Sequence, residues 1–415
     1  MKRSLVAALI IGAVVSAIII GLHATRLTLP WEEGTMRALT GGHQTTQVVG
    51  LKMQCALVVV ISIGVALLVL VSWRRRLLAW PLGILALEVL AVSWVCVLYK
   101  VSFQPLPSLS ALVLSFAAAN GYAAFLGRTR SALAQTYFRG RVSDAKRASI
   151  ASGKLPFKLE ARSYETTAVV CDIANKHDLA EECSPPVLAQ ITEKFIRQAT
   201  ASFLDAGAYI ETVTGEGIVA IFGFPGADEG QAEKATRHAL TLLQSFEKMR
   251  ASAQDDIWKK FKIHLGISSG TTIMGPLEKN DRPELLTMGE PVELARRFCI
   301  ANRFYGSSLL IGPRTFEMAS KVIVARPIDF LSGVDVRERH EIYEPLMLAS
   351  EATSEQIARR DSFWNGVVLY REKRWGEAYS HFLKARGPND LDDAPLQLYM
   401  RRLEPLALHL VDSAD

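Results

Sequence analysis

The chain has 415 residues, is 49% hydrophobic and carries a formal charge of +5. That length exceeds what one domain needs, and the apolar content excludes a purely soluble protein. Its five cysteines show no Cys-x-x-Cys spacing, which argues against structural zinc and against a disulfide framework.

The apolar excess lies at the front. Leu5 to Leu22 follows Lys2 and Arg3, and Cys55 to Trp73, Leu77 to Tyr99 and Leu106 to Leu126 are three further nearly uncharged stretches. Each is long enough, or nearly so, to cross a hydrocarbon core of roughly 30 Å as a helix. Gly21-Leu22-His23-Ala24-Thr25 is a poor cleavage site and more spans follow, so the first segment reads as a span and not a signal peptide. Lys and Arg collect at Lys2 and Arg3, at Arg74-Arg75-Arg76, and at Arg128, Arg130, Arg139 and Arg141, all on one side of a four-span arrangement. The N-terminus and everything after Leu126 are therefore expected in the cytoplasm, with Ala24 to Gln54 and a turn near Gln104 outside. The outer loop is too small for a sensor domain with its own core. Glu88, inside the third span, is expected as a protonated or paired acid facing the bundle interior, in preference to a proton or signal element. Because membrane flanks account for the positive charge, nucleic-acid binding has little support.

Gly127 to Lys158 is basic and helix-compatible, with Leu133, Tyr137 and Phe138 as apolar positions, and stops at Leu155-Pro156. Two readings stay open for it: a helix pairing with its copy, or a spacer held at anionic lipid. From Glu165, short β-branched runs alternate with amphipathic helices. Ser184-Pro185-Pro186 opens a helix carrying Leu188, Ile191, Phe195 and Ala199 on one face until Gly207. A hairpin Tyr209 to Phe222, a helix from about Asp228 to Arg250, a strand pair Phe261 to Ile267 and Thr271 to Met274, a helix Glu290 to Phe304 and a strand Ser308 to Ile311 complete the order. Hairpins between helices indicate an α+β fold with helices over one sheet. After Glu351 the pattern is helical: Trp364, Tyr370, Trp375, Ala378, Phe382 and Ala385 resemble one tetratricopeptide helix pair, which must pack on the preceding domain, a copy or a partner.

Two acids stand out: Asp172, closing the apolar run Thr167-Ala-Val-Val-Cys-Asp-Ile, and Glu216, in the turn of the Tyr209 to Phe222 hairpin. Hard divalent cations take carboxylate oxygens and substrate phosphates, so acids at the ends of adjacent strands suit a metal–polyphosphate site. Cys171 beside Asp172 reads as a small buried residue and not a redox switch.

The run from Ala161 to Leu346 resembles the class III nucleotide cyclase domain, which has a ferredoxin-like core. The matching pieces, in order, are Asp172-Ile173, Gly215-Glu216, Gly223-Phe224-Pro225, Gly266-Ile-Ser-Ser-Gly-Thr and Gly289-Glu-Pro-Val-Glu-Leu-Ala-Arg-Arg. The resemblance implies metal binding by Asp172, Ile173 and Glu216, with two Mg2+ or Mn2+ ions per site, and a transition-state arginine at Arg297. It implies a nucleoside triphosphate substrate, ATP before GTP, and a head-to-tail homodimer. It also places Asn175-Lys176-His177 at the phosphate turn, Thr212 and Leu286 at the base-recognition positions, and Glu293 where the family has a ribose-orienting asparagine. Thr212 and Leu286 match neither the adenine nor the guanine pattern. Glu293 stands four residues before Arg297, the favoured order for a helical ion pair.

The expected organisation is a membrane region over 1–126, a linker helix over 127–158, a cyclase domain over 160–348 and a helical tail over 351–415. The membrane part is similar to that of bacterial cyclases with a CHASE-type sensor, most of which is missing here. The expectation is a multi-pass protein of the cell inner membrane, in contact with lipid, that makes a cyclic nucleotide. The alternative is a cyclase-fold protein that binds nucleotide or dimerises without turnover.

Overall fold

A backbone in hydrocarbon satisfies its own polar groups only in helices or closed barrels, and the described residues of the long uncharged runs at the front of the chain are almost all helical. The computed structural model describes residues 2–40, 47–71, 78–253, 256–279, 282–332, 338–388 and 393–412. It divides into two compact units, Met1–Arg130 and Ser131–Asp415. In the first, α1 (Lys2–Ala24), α2 (Leu29–Thr40), β1 (Gln47–Val48), α3 (Leu51–Val71), α4 (Ala79–Leu98), β2 (Val101–Ser102) and α5 (Leu106–Phe138) as far as Arg130 follow one another. Segments of α1, α3, α4 and α5 are long and apolar enough to cross a membrane. The Arg74-Arg75-Arg76 cluster lies outside the described residues.

One expectation for this unit is corrected. Glu88 lies on the exposed face of α4 and does not face the interior of the unit. The segment after the first span contains α2, where buried Glu32 accepts from Thr28 Oγ1 (2.6 Å) and pairs with His23 Nδ1 (2.8 Å).

The second unit contains α6 (Asp144–Ala151), β3 (Arg162–Ile173), α7 (Lys176–Glu182), α8 (Pro185–Asp205), β4 (Tyr209–Val213), β5 (Gly217–Phe222), α9 (Gln231–Ser252), α10 (Asp256–Lys260), β6 (Ile263–Lys279), β7 (Arg282–Met288), α11 (Glu290–Tyr305), β8 (Leu309–Ile311) and α12 (Pro313–Ala319). It continues with β9 (Ile323–Ser332), β10 (Arg339–Leu348), α13 (Ser354–Arg371), α14 (Trp375–Lys384) and α15 (Ala394–Asp412). One mixed sheet runs β4-β5-β3-β6-β8-β10-β9, with β7 paired to β6. Residues on β3 alternate between two buried layers, as a strand covered on both faces requires. Val169 and Cys171 pack with Phe195 and Phe203 of α8 and Phe246 of α9, whereas Ala168 and Val170 pack with Ala295 and Cys299 of α11.

The expected strand pair Phe261 to Ile267 and Thr271 to Met274 is one strand, β6, which runs through Gly270 and then turns back as β7. Gly270 marks a close approach and not a turn, since a Cβ there would sit 2.9 Å from Pro291. Gly266 acts likewise: its missing Cβ would lie 2.1 Å from the Ala295 carbonyl, so α11 rests directly on β6.

The linker differs from a single helix. It breaks after Phe138 and resumes as α6, and Tyr137 and Phe138 pack within the second unit. Phe138 is buried among Phe157, Tyr209 and Phe224, with ring centroids 4.8–6.2 Å apart. Arg141 Nη1 donates to the Glu211 carbonyl (2.7 Å) and to Tyr209 Oη (3.3 Å). Arg141→Ala removes a charged donor from these acceptors and should cost about 1–2 kcal/mol, lowering the melting temperature by roughly 2–5 °C; an unchanged melting curve would show the anchor to be immaterial.

The helical tail packs on the sheet domain of its own chain. Phe363, Phe382, Tyr399 and Leu403 share a core with Leu294 and Phe298 of α11 and with Ile328 and Ile342 of the sheet. At the same junction Arg326 of β9 is buried, donating Nε to Glu344 (2.8 Å) and a bidentate fork to Asp393 (2.7 Å each), with its guanidinium 4.4 Å from the Phe363 ring centre. Asp393 also accepts from Leu396 N–H and so caps α15.

Candidate active site

The antiparallel register of β3 with β5 sets Asp172 opposite Gly217, so Glu216, the residue before Gly217, falls beside the end of β3. Gly217 is required there, because a Cβ would lie 2.3 Å from the Cys171 carbonyl and 3.1 Å from Asp172 Oδ1. The β4–β5 turn is held by Thr214 Oγ1, which accepts from the backbone N–H groups of Glu216 and Gly217 (3.2 Å each). Ile173 N–H donates to Asp172 Oδ1 (2.8 Å) and to the Glu216 carbonyl (3.2 Å).

These contacts gather Asp172, Ile173, Lys176, His177 and Glu216 around one cleft. Burial pushes the Asp172 carboxyl above its usual range, and the facing Glu216 charge adds to the shift, against the Ile173 hydrogen bond and Lys176. The Glu216 carboxyl is held low by the bond that Lys176 Nζ donates to it. Lys176 thus stands against the carboxylate at the mouth of the cleft.

Asn175 lies at the edge, facing a neighbouring pocket. It does not adopt the left-handed backbone that its residue type tolerates; φ is −113°. Its amide instead clamps the turn, Nδ2 donating to the Lys260 carbonyl (2.9 Å) and Oδ1 accepting from Lys262 N–H (3.2 Å).

The remaining residues of interest do not line this cleft in the same chain. Thr212 sits on β4 beside a bulge and donates to Glu211, and Leu286 is exposed on β7 opposite Gly275. On α11, Arg297 Nε donates to Glu293 Oε1 (3.3 Å) and Nη1 to the Ser332 carbonyl (3.4 Å). Near the N-terminal end of that helix, His340 Nε2 of β10 lies 3.4 Å from Glu290.

Sequence reasoning missed the polar side chains His264, Cys299 and Arg303 of the cleft. The signal for His264 was register, since β6 places it directly across from Asp172. Burial, with Lys262 and Arg303 adding to it, lowers the His264 imidazole to about 4. Cys299 Sγ donates to the His264 carbonyl (3.3 Å), and burial pushes its thiol well up, so it stays protonated.

No protein-family model matches the chain. Adenylate cyclase 1 of Rhizobium meliloti (strain 1021) is 26% identical over 181 residues, covering 43% of this chain and 27% of that protein. The terminal-differentiation specific adenylate cyclase of Dictyostelium discoideum is 28% identical over 217 residues, covering 50% of this chain and 10% of that protein. The chain therefore spans only a minor part of each relative. Among solved structures, the adenylyl cyclase CyaB of P. aeruginosa matches 47% of this chain over its whole length, at 19% identity and a TM-score of 0.41.

Proposed function

We propose that this chain, a member of the class III nucleotide cyclase family, is a membrane enzyme converting a nucleoside triphosphate, ATP before GTP, to the cyclic 3′,5′-monophosphate and pyrophosphate. The observation that carries the reading is the pairing of Asp172 with Glu216 in one cleft by the β3–β5 register. The preference for ATP follows the names of the curated relatives.

The donor set fits hard divalent cations: two carboxylates face each other closely enough for one to raise the pKa of the other, a repulsion that positive charge relieves. Asp172, Glu216 and the Ile173 carbonyl would hold Mg2+ or Mn2+, two per site, and the bound metal would acidify the ribose 3′-hydroxyl and screen the phosphates. Glu216 becomes available when Lys176 leaves it, and Lys176, with His177 beside it, then faces the phosphates. His264, neutral at pH 7, offers the cleft a hydrogen bond without charge.

Arg297 belongs to the site of a second copy in a head-to-tail homodimer, where it meets charge developing on the α-phosphate. Supporting this, Ile300 and Phe304 on the same helix are 72% and 67% exposed, large apolar side chains suited to cover by a partner. Thr212 and Leu286 would face the base and Glu293 the ribose. The four apolar helices with their basic flanks support a multi-pass protein of the inner membrane, the second unit in the cytoplasm.

A second reading, a cyclase-fold protein that binds nucleotide or dimerises without turnover, is favoured by one fact: Glu216 and Arg297 are already engaged, by Lys176 and Glu293. The deciding experiment assays cyclic AMP and cyclic GMP formation by the purified full-length protein with Mg2+ and with Mn2+. Metal-dependent product establishes the enzyme and names its base; a folded dimer that makes neither product sinks the first reading. Glu293→Asn removes a competing carboxylate from Arg297, an exposed pairing worth roughly 0.3–0.5 kcal/mol, so kcat should rise about twofold. An unchanged or lower kcat would show that Glu293 does not restrain Arg297.

A further inference from the structure

We infer that Arg303 is the same-chain phosphate anchor of the cleft, so that α11 serves two active sites at once. The inference rests on the cyclase reading and adds to it a residue that binds the terminal phosphates of the substrate and the pyrophosphate product.

The first support is position. Arg303 lines the cleft that holds Asp172 and Glu216, and Cys299 and Ile300, one turn earlier on the helix, line it too. At 3.6 residues per turn, positions 297 and 303 point about 120° apart around the helix axis. Arg297 is accordingly directed elsewhere, toward Glu293 and the Ser332 carbonyl.

The second support is a rigid mount. The neighbouring Asn302 is fully buried, and its Nδ2 donates to the Leu265 carbonyl of β6 (2.8 Å), while its Oδ1 accepts from Ser307 Oγ (2.8 Å). These bonds fix the last turn of α11 on the strand that carries His264. Arg303 thus presents an exposed guanidinium from a helix turn anchored to β6, a sound arrangement for meeting a polyphosphate.

The third support is charge. Among the described residues of the cleft, Lys176 is bonded to Glu216 at the end of the β4–β5 turn. Arg303 brings permanent positive charge from α11 to the cleft, and a guanidinium fork matches phosphate oxygens.

The test uses the full-length protein. Arg303→Ala should raise KM for ATP by about 10- to 100-fold with kcat within about threefold, and weaken pyrophosphate binding in calorimetry by a similar factor. Arg303→Lys should recover part of the loss. Coexpressed variants then assign the chain: Asp172→Ala with Arg297→Ala should complement, because one site of the heterodimer keeps both groups. Asp172→Ala with Arg303→Ala should not restore the wild-type KM, because the intact acids and the intact Arg303 lie on different chains. Wild-type KM and pyrophosphate affinity in Arg303→Ala, or full complementation of the second pair, would overturn the inference. A wild-type protein that makes no product sinks the cyclase reading, yet loss of pyrophosphate binding in Arg303→Ala would still uphold the anchor.

Discussion

Asp172→Ala should abolish the proposed cyclic nucleotide formation by the purified protein, by about a thousandfold or more, roughly 4 kcal/mol of barrier, without unfolding the chain. Asp172 is half-buried at the end of β3, and its ionised form is penalised first by burial and then by Glu216. A carboxyl whose folded pKa is raised destabilises the fold once ionised. The penalty is absent below the unfolded pKa and fully present above the raised folded one. Asp172→Asn should therefore match or exceed the wild-type melting temperature at neutral pH, with the gain growing as pH rises through the raised pKa. Activity should follow the same pH course, falling as pH drops toward that pKa, because cation binding needs the carboxylate. Removing divalent metal with a chelator should silence the wild-type protein alone. Residual turnover near the wild-type level in Asp172→Ala would refute the site.

Arg326→Ala should be the most damaging single change outside the cleft, costing about 3–5 kcal/mol. Arg326 is 7% exposed and its guanidinium is shared by Glu344 of β10 and Asp393 at the head of α15. Burial raises the Glu344 carboxyl against the pull of Arg326, so truncation would leave an acid in the interior without its cation. The same change frees Asp393 from its fork and uncovers the Phe363 ring. Expected results are a large drop in melting temperature and fast hydrogen exchange in α13–α15. Arg326→Lys retains charge but cannot keep both the fork to Asp393 and the bond to Glu344, so it should fall between. If Arg326→Ala melts like wild type, the junction does not hold the tail.

Elements with one local cause were legible in the sequence. Long uncharged runs gave the apolar helices, and the acidic residue after Gly215 in a β-rich hairpin gave the pairing with Asp172. Features that depend on distant chain were not. Gly270 looked like a turn residue, but what it meets is Pro291, which is invisible from the local pattern. Phe138 read as a solvated or self-pairing helix residue, since its pocket of Phe157, Tyr209 and Phe224 comes from three other segments. Glu88 was assigned an inward face that helical period alone cannot supply. His264 and Arg303 carry no motif; only strand register and helix phase bring them to the cleft.

The linker's burial of Phe138 sets the smallest piece of this protein that could stand alone in solution. A fragment begun at residue 160, where the sheet is about to start, would bare the rings of Tyr164, Tyr209 and Phe224 to water. Such a fragment would be sticky and prone to clump for reasons unrelated to the membrane. A cut at Ser131 keeps the aromatic lid on and should yield a monodisperse preparation.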